Sequence, residues 1–161
     1  MPATTFKTLM DAVGISKTDY LRFAALGDES EIAILENSAH PRQHELEAQL
    51  ATLDAKIEAA IITEIDTYTL RAERETVLIR FLTNDDFALY EPDLFDELET
   101  ADVHAAFIDR TKKAIERLGG QPEIAFMDSA FYEAWLGVND FDDSRDLRIT
   151  WARQQMRGLS K

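Results

Sequence analysis

Residues 42–83 read RQHELEAQLATLDAKIEAAIITEIDTYTLRAERETVLIRFLT, and how they fold decides the class of the whole chain. In the first half, Leu46, Leu50, Leu53, Ile57 and Ile61 step by 4, 3, 4 and 4 positions, which lays them along one helix face, close to a heptad seam with a stutter. Pro41, just ahead, suits a helix's first turn. The pattern then changes. IITEIDTYT, residues 61–69, concentrates β-branched side chains and points to a strand or a break. Leu70, Val77, Leu78, Phe81 and Leu82 resume a helical spacing, yet Thr76 to Thr83 also reads as a strand. Two antiparallel helices over 42–83 are the preferred reading, with a small β-hairpin around 61–83 as the α+β alternative.

The flanks favour helix as well. Between Gly27 and Gly119 there is no glycine and only two prolines, Pro41 and Pro92, in a span rich in Ala, Leu, Glu and Arg. Pro92 opens PDLFDEL as a helix start, with Leu94, Phe95 and Leu98 turned inward and Phe87 docking from the segment before. Thr100 can cap a helix carrying Val103, Phe107, Thr111, Ala114, Ile115 and Leu118 on one face, stopped by Gly119 and Gly120. Beyond Pro122 the pattern allows a strand, Ile124 to Met127, followed by a helix, or one helix throughout. Ser144 can cap a last helix through Met156, with Leu147 and Trp151 on its apolar line. The expected fold is mostly α, a helical bundle or hairpin with a long central helix. It comprises an acidic helical domain over 1–143 and a basic C-terminal helix or arm over 144–161. Within the domain lie an N-terminal hairpin at 5–26, central helices at 42–83 and an acidic segment at 84–109.

At 161 residues the chain suits one domain able to bury a core without covalent staples. It has no cysteine, so a disulfide framework, a thiolate metal site and a thiol nucleophile are excluded. MPATTFKTLMDAVG carries no apolar run suited to a signal peptide and no 18-residue apolar segment follows, which predicts a soluble, cytoplasmic protein, or one built into a virion assembled there. The formal charge is −14, and residues 144–161 oppose it with Arg145, Arg148, Arg153, Arg157 and Lys161 against Asp146 alone. An acidic body repels nucleic acid and anionic lipid and attracts basic surfaces.

Chemistry-bearing motifs are few. LMDAVGISKTDYLRFAAL, residues 9–26, resembles a helix-turn-helix with Gly14 at the turn and Ser16 capping the second helix, whose outer face would offer Lys17 and Arg22 to DNA beside Asp19. HPRQH places His40 and His44 four apart, but His40 precedes Pro41 and so falls outside the helix, which argues against a shared metal. Asp140, Asp142, Ser144 and Asp146 alternate like the start of a calcium loop, yet Arg145 stands where that loop needs glycine and Trp151 where it needs glutamate. No nucleophile motif or glycine-rich phosphate loop accompanies the many carboxylates, so no catalytic role, cofactor, metal or small-molecule substrate is expected.

Between Arg80 and Arg110 lie nine acids and no Lys or Arg, with Phe81, Phe87, Tyr90, Phe95 and Phe107 among them. The acids either face water or form a docking surface for a basic partner. The functional expectation is a non-catalytic assembly or adaptor protein working through protein–protein contacts, a phage structural or assembly component being one instance. Asp93, Asp96, Glu97, Glu99, Asp102 and Tyr90 would form one interface, and Arg148, Trp151, Arg153 and Arg157 on the basic arm the other, allowing head-to-tail homo-oligomers. Two rivals stand beside it: a helix-turn-helix DNA-binding protein, such as a small packaging subunit or regulator, reading through Lys17 and Arg22, and an acidic DNA mimic that blocks a basic groove.

Overall fold

The apolar seam at Leu46, Leu50, Leu53, Ile57 and Ile61 becomes the buried edge of the element that organises the chain. The computed structural model describes residues 5–71 and 75–159. In chain order the elements are α1 (Thr5–Val13), α2 (Lys17–Phe23), α3 (Glu29–Glu36), α4 (Gln43–Arg71), β1 (Glu75–Arg80), α5 (Asn84–Tyr90), α6 (Pro92–Leu98), α7 (Ala101–Arg117), β2 (Gln121–Phe126), α8 (Ser129–Asn139) and α9 (Arg145–Leu159). The chain is mostly α with a long central helix and one small sheet. At 29 residues α4 is about 43 Å long. On it pack α1, α6 and α7, while α7 and α9 both pack against the strand pair.

Neither a break at 61–69 nor a hairpin over 61–83 forms. α4 runs unbroken to Arg71 because Ile61 is buried and Ile65 and Tyr68 pack against the core, continuing the seam. The threonine hydroxyls that weaken helices elsewhere are accommodated here. Thr63 Oγ1 donates to Ala59 O at 3.2 Å and Thr67 Oγ1 to Thr63 O at 3.0 Å. Packing of this face outweighs a propensity deficit of a few tenths of a kcal/mol per residue, on the order of the usual spread among residues.

The run from Val77 to Leu82 is a strand followed by a turn, so the preferred second helix is replaced by β1. Its helical spacing is coincidental, since Leu82 is 64 % exposed. Residues 72–74 and the side chain of Leu70, where that run begins, lie outside the described residues, as does Lys161. β1 pairs with β2, and the pairing is parallel, with Glu75 opposite Gln121 and Arg80 opposite Phe126. Parallel strands need a crossover, and α5, α6 and α7 supply it. Within ETVLIR, Val77, Leu78 and Ile79 in succession give each face of the strand an apolar side chain, and α7 and α9 pack against it.

The caps expected at Ser16 and Thr100 form, and Thr83 adds another. Ser16, Thr83 and Thr100 accept through their hydroxyls from the backbone N–H three residues on. After α7, Gly119 takes φ +86° and Gly120 N–H reaches back to Ile115 O at 3.0 Å. A Cβ on Gly120 would collide with the Tyr68 hydroxyl and with Ile115, so α4 and the end of α7 approach too closely for any other residue.

Candidate functional site

Asp93 and Glu97 stand four apart on α6, hence on one face, and that face lies along α4. Between the two helices runs an open groove of about 510 Å³. Ala59, Ala60, Leu94 and Phe107 give it an apolar lining, and Glu64, Glu91, Asp93 and Glu97 give it four carboxylates. Its cations are Lys56, whose Nζ lies 3.7 Å from Glu97 Oε2, and Arg145.

Arg145 comes from the first turn of α9 and reaches across to α4, where it is ion-paired with Glu64, while its Nε lies 3.9 Å from Glu91 Oε1. Burial works against its charge, but Glu64 and Glu91 outweigh that and hold the guanidinium above its ordinary pKa. Behind Arg145 lies a smaller, partly enclosed cavity of about 70 Å³, and Glu64, Glu91, Leu94, Phe107 and Arg145 border both spaces.

His104 also lines the cavity. Its ring sits among Phe81, Phe87 and Phe107, with centroids 5.2, 4.5 and 5.6 Å away, and its Nδ1 is buried without a hydrogen-bond partner. Burial, with smaller contributions from Arg145 and Arg80, lowers its pKa to about 3, so the imidazole is neutral at pH 7. A second arginine, Arg110 of α7, ties that helix to α4 by pairing with Asp54 at 2.8 Å and with Glu58.

Of the interface residues expected from sequence, only Asp93 and Glu97 line this groove. Asp96 is exposed elsewhere on α6, and Glu99 borders a separate hollow beside Phe23 and Lys56. Asp102 is half-buried and accepts from Ser16 N–H at 3.2 Å, which anchors the start of α2 to α7. Tyr90 is a core residue, 5 % exposed, and its hydroxyl donates to Glu133 Oε1 at 2.6 Å. Burial and that bond raise its pKa well above a phenol's usual value.

The basic arm is corrected in the same way. Arg148 and Trp151 are 4 % and 3 % exposed, so neither can be a free contact surface. Arg148 Nη1 donates to Asp143 Oδ2 at 2.7 Å and Nη2 to Glu91 Oε1 at 3.1 Å, while Trp151 stacks edge-on to Tyr132 at 5.6 Å. Of the arm's five basic residues, Arg145 and Arg148 are engaged by carboxylates of the same chain. Arg153 is half-buried and Arg157 exposed. At the N-terminal hairpin, Lys17 is exposed and Arg22 is held 2.7 Å from Asp19.

Sequence reasoning missed Glu64, Arg145 and His104 as members of one site. Only for His104 was there a local signal, its position on the apolar face of α7 between Val103 and Phe107. Among the described residues no group of three His, Asp or Glu side chains is placed to hold a metal ion, and no helix is long and apolar enough to cross a membrane. The arrangement can bind a cation with an aliphatic stem: carboxylates for the charge, alanine and leucine for the methylenes. Compared with known proteins, the chain matches no family model and no curated protein sequence.

Proposed function

We propose that this chain is a non-catalytic adaptor or assembly protein whose α4/α6 groove receives an arginine-bearing segment of a partner protein. The observation that carries this reading is the position of Arg145. The chain's own guanidinium already lies across Glu64 and Glu91 beside the groove, so it is a stand-in for the side chain the groove would take. Asp93 and Glu97 continue the acidic lining along α6, and Glu97 meets Lys56 at 3.7 Å. A partner's arginine could bridge these two carboxylates as Arg145 bridges the other pair, with its methylenes on Ala60 and Leu94.

The net charge of −14 would accelerate encounter with such a segment and make affinity fall with salt. Calorimetry with a short arginine–alanine peptide tests the reading. Wild type should bind it, and the double variant Asp93→Asn/Glu97→Gln, which changes exposed side chains only, should bind about tenfold more weakly, a loss of about 1.4 kcal/mol. Equal affinities in the two proteins would remove the groove as the receptor.

A further inference from the structure

The sequence from Leu118 to Ser144 contains six acids and no Lys, Arg or His, and it holds the two most exposed large apolar side chains among the described residues. Phe131 and Val138 are 69 % and 87 % exposed. They lie seven apart on α8, two turns along one side, with Ala134 between them. Next to this line Ala130 and Gly137 are also exposed, and a Cβ at Gly137 would meet nothing within 4 Å. The opposite side of α8, through Tyr132 and Leu136, is buried. α8 therefore turns to solvent a face of two large apolar residues beside a shallow strip of small ones, into which a second helix could settle at short interaxial distance. Its edge charge, Glu133, is engaged by Tyr90.

We infer that the outer face of α8 is a second docking site, for a partner protein's amphipathic helix whose apolar stripe is flanked by lysine or arginine. Charge selects this occupant. Asp128 caps the start of α8, and Asp140 and Asp142 follow its end, so the apolar face is bracketed by exposed carboxylates. Two copies of this chain paired about a two-fold axis would set Asp128 of each against Asp140 of the other, and like charges in register oppose that pairing. An anionic membrane meets the same repulsion. On the side where α9 packs, Gln154 receives the Trp135 Nε1–H at 3.2 Å; its neighbour Arg153 is half-buried and lines the cavity that Arg145 borders, and Arg157 lies nearly a turn further on. A basic-flanked helix satisfies both the apolar face and the acidic ends. With the groove, it would give an adaptor two separate surfaces.

The test is fluorescence polarisation of a labelled amphipathic peptide of leucine and lysine, with a leucine–glutamate peptide of the same pattern as control. Gly137→Gln fills the small strip where there is open space and should leave folding intact. Phe131→Asp makes the surface more acidic, so contact by charge alone would strengthen. The expected result is that wild type binds the leucine–lysine peptide and not its control, that each variant weakens binding about tenfold or more, and that Asp93→Asn/Glu97→Gln leaves it unchanged. The inference is overturned if the α8 variants bind as wild type does or if the control peptide binds equally. It is also overturned if only the groove variant weakens binding. Sedimentation showing a dimer lost in Gly137→Gln would put a second copy on this face, and flotation of the chain with anionic vesicles would put lipid there; either result also overturns it.

Discussion

Arg148 Nη2 lies 3.1 Å from Glu91 Oε1, and through this bond α9 is fastened to the junction of α5 and α6. The other arm of the guanidinium holds Asp143, and its centre lies 5.7 Å from the Tyr90 ring centroid. Arg148→Met fills similar volume but takes the cation from Asp143 and leaves Glu91 with the more distant Arg145, 3.9 Å away. Both keep partial solvent contact, so the expected loss is about 2 to 3 kcal/mol, toward the low end for breaking a buried pair. Lysine should not rescue it, because one ammonium cannot span both acids. Urea unfolding followed by circular dichroism reads the change, and an unshifted midpoint would show that the pair adds nothing to stability.

His104 gives the fold an acid limb. Its folded pKa of about 3 lies below the roughly 6.5 of an unfolded histidine, so between those values the unfolded chain binds a proton that the folded chain refuses. Stability from this group is therefore complete above pH about 6.5 and falls as pH drops, by up to about 1.4 kcal/mol per unit. His104→Phe retains the ring contacts to Phe81, Phe87 and Phe107 and lacks the titration. Chemical denaturation from pH 7 down to about 5 should show the wild type losing stability faster than the variant. Parallel curves would contradict the burial argument.

Gly119 and Gly120 end α7 for different reasons, and the difference is measurable. Gly119 needs its positive φ but has open space around it, so Gly119→Ala should cost about 1 kcal/mol. Gly120→Ala drives a methyl into Tyr68 and Ile115 and should cost more, about 2 to 3 kcal/mol. Thermal melts of the two variants should rank in that order; the reverse would mean that α4 and α7 separate easily.

Removing residues 144–161 should abolish the cooperative unfolding transition. The deletion takes away Trp151 and Ala152 from the core together with Arg148. It also strips the strand pair of the cover α9 provides. Near-ultraviolet circular dichroism of the truncated chain should lose its aromatic fine structure. A truncated protein that keeps it would restore the picture of a detachable basic arm.

What the sequence discloses is what local spacing encodes. The seam from Leu46 to Ile61, the caps at Ser16 and Thr100 and the glycine stop after α7 were all legible because each is decided within a few residues. The extension of α4 past Ile61 was not, because it depends on what Ile65 and Tyr68 pack against. The partner of β1 was equally hidden: a strand pattern at Thr76 says nothing of pairing with Pro122 on the far side of three helices. The same limit governs the site. Asp93 and Glu97 share a face by spacing alone, whereas Glu64 and Arg145 join them only through the fold. The sign of the C-terminal helix was readable, but its destination, Glu64 and Glu91 of the same chain, was not.

The account's central claim is that the groove between α4 and α6 receives an arginine-bearing segment, and amide-resolved NMR of the isotope-labelled chain, titrated with the arginine–alanine peptide at low salt, tests it most directly. The account predicts saturable shifts concentrated at Ala59, Ala60, Glu64, Asp93, Leu94 and Glu97, and their disappearance on adding salt. Shifts spread evenly over the acidic surface, or centred on the α1–α2 hairpin, would contradict it.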